Sequence, residues 1–254
     1  MIISARTIIL YLNKIVSLRL CFVKCVFMLY IAALAELKFF YIEFILIVVV
    51  AILLTDFSWR KLAIIISSFA IVLMGYALLA VLFPNSAGFL SIEGILKIAA
   101  SDRGYTSSGD MNRLTAIPVI SKHFLKTPLE QLFGMGLGNC DNAGYAFLTS
   151  PFFVRHSSLH YQWFSYAFLY LETGYIGLLM YAIFFVLVFL EGTKKMQRTQ
   201  QQTINDQIAS IVAFCCILIS IYNSALRIEA GYMAYFVLSL PFIKSQKNIS
   251  KAIV

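Results

Sequence analysis

Long apolar runs alternate with short polar connections along this chain, and one long polar stretch interrupts the pattern. Runs of about 20 apolar residues are long enough to cross the hydrocarbon core of a membrane as helices. Their length and scarcity of charge predict helical spans on both sides of the interruption. The predicted spans are Leu20–Leu37, Phe39–Thr55, Leu62–Phe83, Gly174–Leu190, Gln207–Tyr222 and the shorter Gly231–Ile243.

This pattern predicts an all-α, polytopic membrane protein with about six spans and one large, partly helical extracytoplasmic loop. Three regions follow from it. Residues 1–83 are an N-terminal membrane region, which begins with an amphipathic segment on the membrane surface. Residues 84–158 are the large loop. Residues 159–254 hold an aromatic loop helix, the C-terminal spans and a cytoplasmic tail.

Composition agrees with a membrane protein, because 61% of the residues are hydrophobic, 13% are charged and the mean hydropathy is +0.85. Soluble domains carry about 25% charged residues. The net charge of +8 comes mostly from lysines and arginines in short connections between the spans. It therefore gives no indication of nucleic acid binding.

Every second short connection is basic, and such connections remain on the cytoplasmic side. Arg60 and Lys61 join the second and third spans, and Lys194, Lys195 and Arg198 follow the fourth. Both termini are then cytoplasmic and residues 84–158 lie outside.

Topology reporters fused at Gln200 and at Ser107 are expected to give opposite signals, because the first position is predicted inside and the second outside. The measurement is the ratio of a reporter active in the cytoplasm to one active outside it. Identical signals at the two positions would contradict the orientation.

The loop holds most of the candidate chemistry. Ser91–Ala100 is a predicted amphipathic helix. A second helix is predicted from Met111 to Leu125, capped by Asp110 or Ser108. A third, strongly aromatic helix is predicted from Leu159 to Glu172, and Gly174 is expected to break or bend the chain after it.

Three glycines alternate with apolar residues in Phe-Gly-Met-Gly-Leu-Gly, at positions 134, 136 and 138. A dinucleotide loop is disfavoured, because no βαβ unit surrounds them. They indicate a tight loop whose backbone closely approaches another helix or a phosphate oxygen. His156 and His160 are four residues apart, but no third ligand and no HExxH glutamate accompany them, so a metal site is not predicted. No cofactor is expected.

Arg113 precedes Lys126-Thr127-Pro128, the glycine motif follows, and a histidine then leads into an aromatic helix ending Leu-Glu-Thr-Gly-Tyr-Ile-Gly-Leu-Leu. This order resembles the O-antigen polymerase and ligase family of bacterial membrane glycosyltransferases. The resemblance covers about residues 107–190. Family members generally have more spans, so it implies a short member or a chain without its N-terminal half. The family's His-Asn pair is replaced, and His160-Tyr161 and Arg155-His156 compete for its place.

The resemblance implies a metal-independent glycosyltransferase in the bacterial cytoplasmic membrane, which polymerises repeat units of capsule or O-antigen type. A glycan leaves undecaprenyl pyrophosphate and joins a sugar hydroxyl on a second lipid-linked unit. Further expected partners are membrane lipid and other polysaccharide-export proteins. Two alternatives stay open, an O-antigen ligase and a non-enzymatic transporter of lipid-linked glycan. Charges within the spans would favour a transporter, and here they are few.

The implied roles follow from side-chain chemistry. Histidine suits general base catalysis near neutral pH, which assigns His160, then His156, to the acceptor hydroxyl. Arginine binds phosphate with a planar fork. The candidate pyrophosphate ligands are therefore Arg113, Arg103 and Arg155, with the backbone of Gly134, Gly136 and Gly138. Arg227 has two interpretations, a pair with Glu229 that closes a turn or a further phosphate contact.

Overall fold

The computed structural model describes residues 1–35, 37, 39–56, 58–82, 105, 109–193 and 200–243. In this part of the chain all regular secondary structure is helical. The predicted helix Ser91–Ala100 and Arg103 lie outside it. The helices are α1 (Ile2–Leu12), α2 (Leu18–Leu34), α3 (Phe39–Leu54), α4 (Trp59–Leu82), α5 (Ala116–His123), α6 (Pro128–Phe133), α7 (Pro151–His156), α8 (Ser165–Thr193), α9 (Gln200–Tyr222) and α10 (Glu229–Ser239).

Three of these helices are long and apolar enough to cross a membrane, namely α4, α8 and residues Gln202–Tyr222 of α9. The chain is therefore a helical membrane protein, as the apolar runs predicted. The number of six spans is not confirmed. Helices α2 and α3 have 17 and 16 residues, and at about 1.5 Å per residue they reach about 24–26 Å. This is less than the ~30 Å hydrocarbon core.

The chain divides into two compact units. The first contains residues 1–78, 186–215 and 232–254. Within it α1 packs against α2 and α3, and Ile8 and Ile9 of α1 are fully buried. One face of this N-terminal segment thus contacts protein, a feature that its basic residues did not indicate. The Gln207 side chain of α9 joins this packing through hydrogen bonds with Asn13 Nδ2 (2.9 Å) and Leu54 O (3.2 Å).

The second unit contains residues 79–185 and 216–231, a range that includes the whole of the predicted loop. Its core is a cluster of buried aromatic and aliphatic side chains contributed by the loop and the first turns of α8. Members of this cluster are Met111, Ala116, Val119, Ile120, Leu125, Cys140, Tyr161, Phe164, Tyr166, Ala167, Phe168, Tyr170 and Leu171. The described part of the loop is therefore a packed structure built on α8.

The predicted helix from Met111 to Leu125 is shorter than expected and begins at Ala116. Asp110 does not cap it, because its carboxylate contacts the His160 side chain. The Asn112 side chain instead accepts the Leu114 N–H (3.0 Å), which holds residues 112–114 in a turn. The sequence Thr127-Pro128 starts α6 with a capping box between Thr127 and Glu130. Hydrogen bonds to the Glu130 carboxylate, chiefly from the Thr127 N–H, lower its pKa.

The predicted aromatic helix from Leu159 to Glu172 is wrong in its first half. Two 3₁₀ turns, Ser157–Leu159 and Tyr161–Trp163, flank His160, whose φ of 52° and ψ of 29° are left-handed. A non-glycine residue in this conformation interrupts a right-handed helix, so α8 begins only at Ser165. The expected bend at Gly174 is confirmed, since this residue has φ 64° and ψ −162° within α8.

Candidate functional site

His160 and Asp110 form a close pair of ionisable side chains in the second unit, with 2.6 Å between Nδ1 and Oδ1. The imidazole also stacks on the Trp163 indole, with ring centroids 4.0 Å apart and planes inclined by 19°. Two contacts thus fix the orientation of the ring. The other ring nitrogen, Nε2, has no hydrogen-bond partner among the described residues and is available to a ligand.

The backbone brings these two side chains together across 50 residues of sequence. The Met111 N–H donates to the Leu159 carbonyl oxygen (2.9 Å), directly beside the pair. On the other side, the buried Tyr161 hydroxyl donates to the Cys140 carbonyl oxygen (2.6 Å). Burial raises the pKa of the Tyr161 hydroxyl, so this donor stays protonated. The backbone on both sides of His160 is therefore fixed by hydrogen bonds with residues of the buried cluster.

An open cavity of about 340 Å³ lies beside His160. Phe153, Ser157, Ser158, Gln162 and Trp163 complete its lining. Hydroxyl and amide groups together with an indole ring can hydrogen-bond and stack against a polar, ring-shaped ligand.

The side chain of Arg113 contacts aromatic rings, whereas that of His160 contacts a carboxylate. Its guanidinium carbon lies 4.4 Å from the Tyr222 ring centroid and 5.3 Å from that of Phe164. The Tyr166 hydroxyl donates to the Arg113 carbonyl oxygen and so fixes the backbone there. The Arg113 Nε is buried and has no hydrogen-bond partner among the described residues. A buried donor without a partner costs free energy, and an anion at this place would remove that cost.

Arg113 also lines a mostly apolar cavity of about 380 Å³. Its apolar walls come mainly from α8 and from the last turns of α9. Those residues are Leu178, Tyr181, Ala182, Phe185, Ile217 and Ile221. The cavity therefore combines a cation with surfaces from two helices that are long enough to cross a membrane.

Arg227, in contrast, has a carboxylate partner. Its Nη2 lies 3.6 Å from Asp141 Oδ2, and its Nη1 donates to the Gln162 carbonyl oxygen (3.4 Å). The guanidinium also rests on the Phe168 ring, 3.2 Å from its centroid. Burial lowers the pKa of Arg227, and the charges of Asp141 and Glu172 oppose this shift. One of the two interpretations of Arg227 was a pair with Glu229, and the Glu229 side chain lies outside the described part of the structure.

Gln162 connects Arg227 with the cavity beside His160. Its carbonyl oxygen accepts from Arg227, its side-chain Nε2 donates to Asp141 Oδ1 (2.8 Å), and it lines the cavity. Asp141 thus contacts both an arginine and an amide. The contacts link the Arg227 side chain to the segment that carries His160.

The glycine motif and the Leu-Glu-Thr-Gly segment pack against each other. The N–H groups of Met135 and Gly136 donate to the carbonyl oxygens of Leu171 and Glu172, both at 2.9 Å. The Gly138 N–H donates to the Glu172 carboxylate (2.9 Å). A Cβ on Gly134 would lie 2.3 Å from the Glu172 carbonyl carbon. The sequence predicts that the backbone of these glycines approaches either another helix or a phosphate oxygen. In the structure it approaches a helix, α8. A role in substrate binding stays a prediction.

The remaining predicted residues lie in different surroundings. His156 packs against Phe124 and Phe152, with ring centroids 4.9 and 4.8 Å away. Arg155 is exposed in the last turn of α7, and His123 is exposed at the end of α5. The second unit therefore brings together His160 and Asp110, whereas His156 belongs to an aromatic cluster. In the part of the chain that the structure describes, no group of three or more His, Cys, Asp or Glu side chains could hold a metal ion.

Sequence patterns do not indicate the partners that define this site. An acidic residue before an apolar segment commonly caps a helix, so the sequence favours that role for Asp110. Trp163 and Tyr222 have the sequence surroundings of interfacial or membrane-facing aromatics. Their contacts with His160 and Arg113 depend on the folded backbone, and local spacing carries no information on such contacts.

Comparisons with protein-family models, with curated proteins and with solved structures found no match to this chain. The fold defines the class as a helical membrane protein, with three helices in the described part that are long and apolar enough to cross a membrane. Its resemblance to the O-antigen polymerase and ligase family stays a hypothesis on the motifs of residues 107–190.

Proposed function

We propose that this protein is a polymerase of lipid-linked oligosaccharides, with the loop of residues 84–158 on the outer face of the bacterial cytoplasmic membrane. The observation that carries the proposal is the His160–Asp110 pair beside an open cavity whose lining includes Ser157, Ser158 and Gln162. A histidine oriented by a carboxylate is a common arrangement for taking a proton from a hydroxyl. The order of motifs in the sequence supplies the class of donor.

In the proposed reaction, an acceptor sugar occupies the cavity beside His160. Its hydroxyl oxygen attacks the anomeric carbon of the donor glycan and forms the new glycosidic bond. The bond from that carbon to the pyrophosphate oxygen breaks, and undecaprenyl pyrophosphate leaves with the bonding electrons. The hydroxyl proton passes to Nε2 of His160, and Asp110 stabilises the resulting imidazolium.

The donor lipid is assigned to the cavity lined by Arg113. Its apolar walls suit the first isoprene units of a polyprenyl chain, and the Arg113 guanidinium supplies a cation for the pyrophosphate. Charge grows on the pyrophosphate as the bond breaks, so a cation in surroundings of low dielectric stabilises the transition state more than the ground state. Arg227, Arg155 and Arg103 are further candidates for this charge, and Arg227 would have to exchange its contact with Asp141 for the phosphate.

The test of this function is the profile of lipid-linked glycans in cells with and without the protein. A polymerase predicts that its loss leaves single repeat units on the carrier lipid. Full-length chains retained on undecaprenyl pyrophosphate would identify a ligase instead. Repeat units confined to the inner leaflet would identify a transporter.

Arg113→Lys is expected to slow polymerisation although it keeps the positive charge, because lysine cannot form two parallel hydrogen bonds to a phosphate. One lost hydrogen bond to a charged group is worth about 1.5–3 kcal/mol, which corresponds to roughly a 10- to 100-fold lower rate. The measurement is the polymerisation rate per molecule of protein in the membrane. Arg19→Lys, at an exposed position of α2, is the matched control. A full rate in Arg113→Lys would remove this residue from the donor site.

Polymerisation by the purified protein is expected to continue in EDTA, because the donor carries an activated leaving group whose charge arginine can stabilise. The measurement is the length distribution of products with and without the chelator. Loss of long products in EDTA, restored by one particular divalent ion, would contradict this expectation.

A further inference from the structure

Residues 141–150 form a closed loop on the surface of the second unit. The Ser150 N–H donates to the Asp141 carbonyl oxygen (3.3 Å) and joins the two ends. Inside the loop, the Thr149 hydroxyl donates to Asn142 Oδ1 (3.1 Å) and accepts the Ala143 N–H (3.4 Å). The loop thus has a shape of its own, held by its own polar groups.

The outer surface of this loop is apolar. Phe147 is 82% exposed, Tyr145 68% and Leu148 59%, and the rings of the first two have centroids 5.8 Å apart. Val154, in the next turn of chain, is 68% exposed. Exposed apolar side chains grouped in one short segment favour an interaction site. Thr149 and Asn142 bond within the loop and Asp141 contacts Arg227 and Gln162, which leaves the apolar side chains for a partner.

The distribution of charge indicates which partner. Residues 142–171 contain no aspartate or glutamate, and Arg155 is their only lysine or arginine. Asp141, at the base of the loop, is paired with Arg227, so the tip of the loop carries no charge, and the exposed Arg155 after the loop favours anionic lipid headgroups. Tyrosine and phenylalanine beside leucine are also the side chains that favour the boundary between headgroups and acyl chains. The same compact unit contains the start of α8, a helix able to cross the membrane.

We propose that residues 141–150 insert Tyr145, Phe147 and Leu148 into the headgroup region of the membrane leaflet on their own side. The loop is then an interfacial anchor, additional to the spans. This inference does not depend on the glycosyltransferase assignment, since it rests on the exposure, internal hydrogen bonding and charge of the loop.

The depth of the loop can be measured with a single tryptophan. The chain has two tryptophans, Trp59 and Trp163, and both are replaced by phenylalanine in the full-length protein. Phe147→Trp or Tyr145→Trp is then introduced, and each variant is reconstituted in vesicles of phosphatidylcholine and phosphatidylglycerol. These positions are exposed, so a tryptophan displaces no packed neighbour. His123→Trp, at the exposed end of α5, is the matched control for a position in water.

Lipids brominated high on the acyl chain are expected to quench the tryptophans at positions 145 and 147 more than lipids brominated near the chain end. Insertion of ~5–10 Å accounts for that order. Aqueous iodide is expected to quench them little, and the control should give the opposite result. Strong iodide quenching without bromolipid quenching would place the loop in water. Protection from both quenchers would mean that protein covers the loop. Either result overturns the proposal.

Discussion

His160→Ala is expected to reduce the polymerisation rate by a factor on the order of 10²–10⁴, the usual effect of removing a positioned general base. The amount of protein in the membrane should change little, because the imidazole lies at the edge of an open cavity and its ring is partly exposed. The measurement is the initial rate of chain extension with purified protein, normalised to the amount of folded protein.

Asp110→Asn tests whether the carboxylate orients the histidine. With Asp110 accepting from Nδ1–H, the Nε2 nitrogen is free to accept a proton. An asparagine amide can donate to Nδ1 instead and favour the other tautomer. We expect a lower kcat with little change in KM, and recovery in Asp110→Glu where the longer side chain still reaches Nδ1. A parallel loss of kcat and of folded protein would point to a structural role only.

His123→Ala and His156→Ala are the matched controls for these variants. His123 is exposed, so its removal should be nearly neutral. His156 packs between two aromatic rings, so its removal should lower the amount of folded protein and leave the rate per molecule almost unchanged. If His156→Ala abolishes the rate while His160→Ala does not, the base is His156. If His156→Ala and His160→Ala both retain full rates, neither histidine is catalytic.

Gly134→Ala and Gly174→Ala are expected to cause the largest losses of stability in the second unit. Gly134 has φ 73° and ψ −165°, and Gly174 has φ 64° and ψ −162°. This region of backbone conformation is essentially restricted to glycine, and a side chain there costs about 1–3 kcal/mol. An added Cβ would also lie 2.3 Å from the Glu172 carbonyl carbon or 2.4 Å from that of Leu132. Main-chain atoms cannot move away as a flexible side chain could, so the overlap adds to the strain.

Substitutions at two other glycines separate the effect of backbone strain from that of steric overlap. Gly138 has φ 80° but no atom within 4 Å of an added Cβ, so Gly138→Ala should show strain without overlap. A Cβ on Gly144 also meets nothing within 4 Å, and this residue has an ordinary φ. Gly144→Ala should therefore be nearly neutral. The measurement is the unfolding temperature of purified protein in detergent. Equal values for Gly134→Ala and Gly144→Ala would contradict the close approach.

The sequence predicted the helical class and the approximate position of each described membrane helix, because burial in lipid demands long apolar runs with few charges. It predicted the bend at Gly174 from glycine's conformational freedom. It did not predict that α5 begins late or that two 3₁₀ turns precede α8. Those boundaries depend on Asp110 and His160, whose contact crosses 50 residues of sequence.

Candidate residues were easier to find than their surroundings. Histidine and arginine stand out in a polar loop by their chemistry alone, so the sequence names His160 and Arg113 among its candidates, and their roles stay predictions. Their environments depend on contacts between distant segments and could not be predicted. Cys140 illustrates the limit, because its neighbours in the sequence do not indicate whether its thiol is buried. The structure buries its thiol, and burial together with the charge of Glu172 raises the pKa of Cys140 to about 12.

The close approach of the chain around Gly134 to the chain around Gly174 has a consequence for how new specificities could arise. This contact joins the two ends of the segment between Gly134 and Gly174, which carries Asp141, Gln162 and Trp163. The contact is made by main-chain atoms. Side chains at the cavity, such as Ser157 and Ser158, do not take part in it. Under the proposed function, substitutions there alter which sugar fits while the contact between the two glycine segments keeps its geometry. In a protein with the proposed function, acceptor choice can therefore change through cavity residues alone, with the two glycines under the strongest constraint.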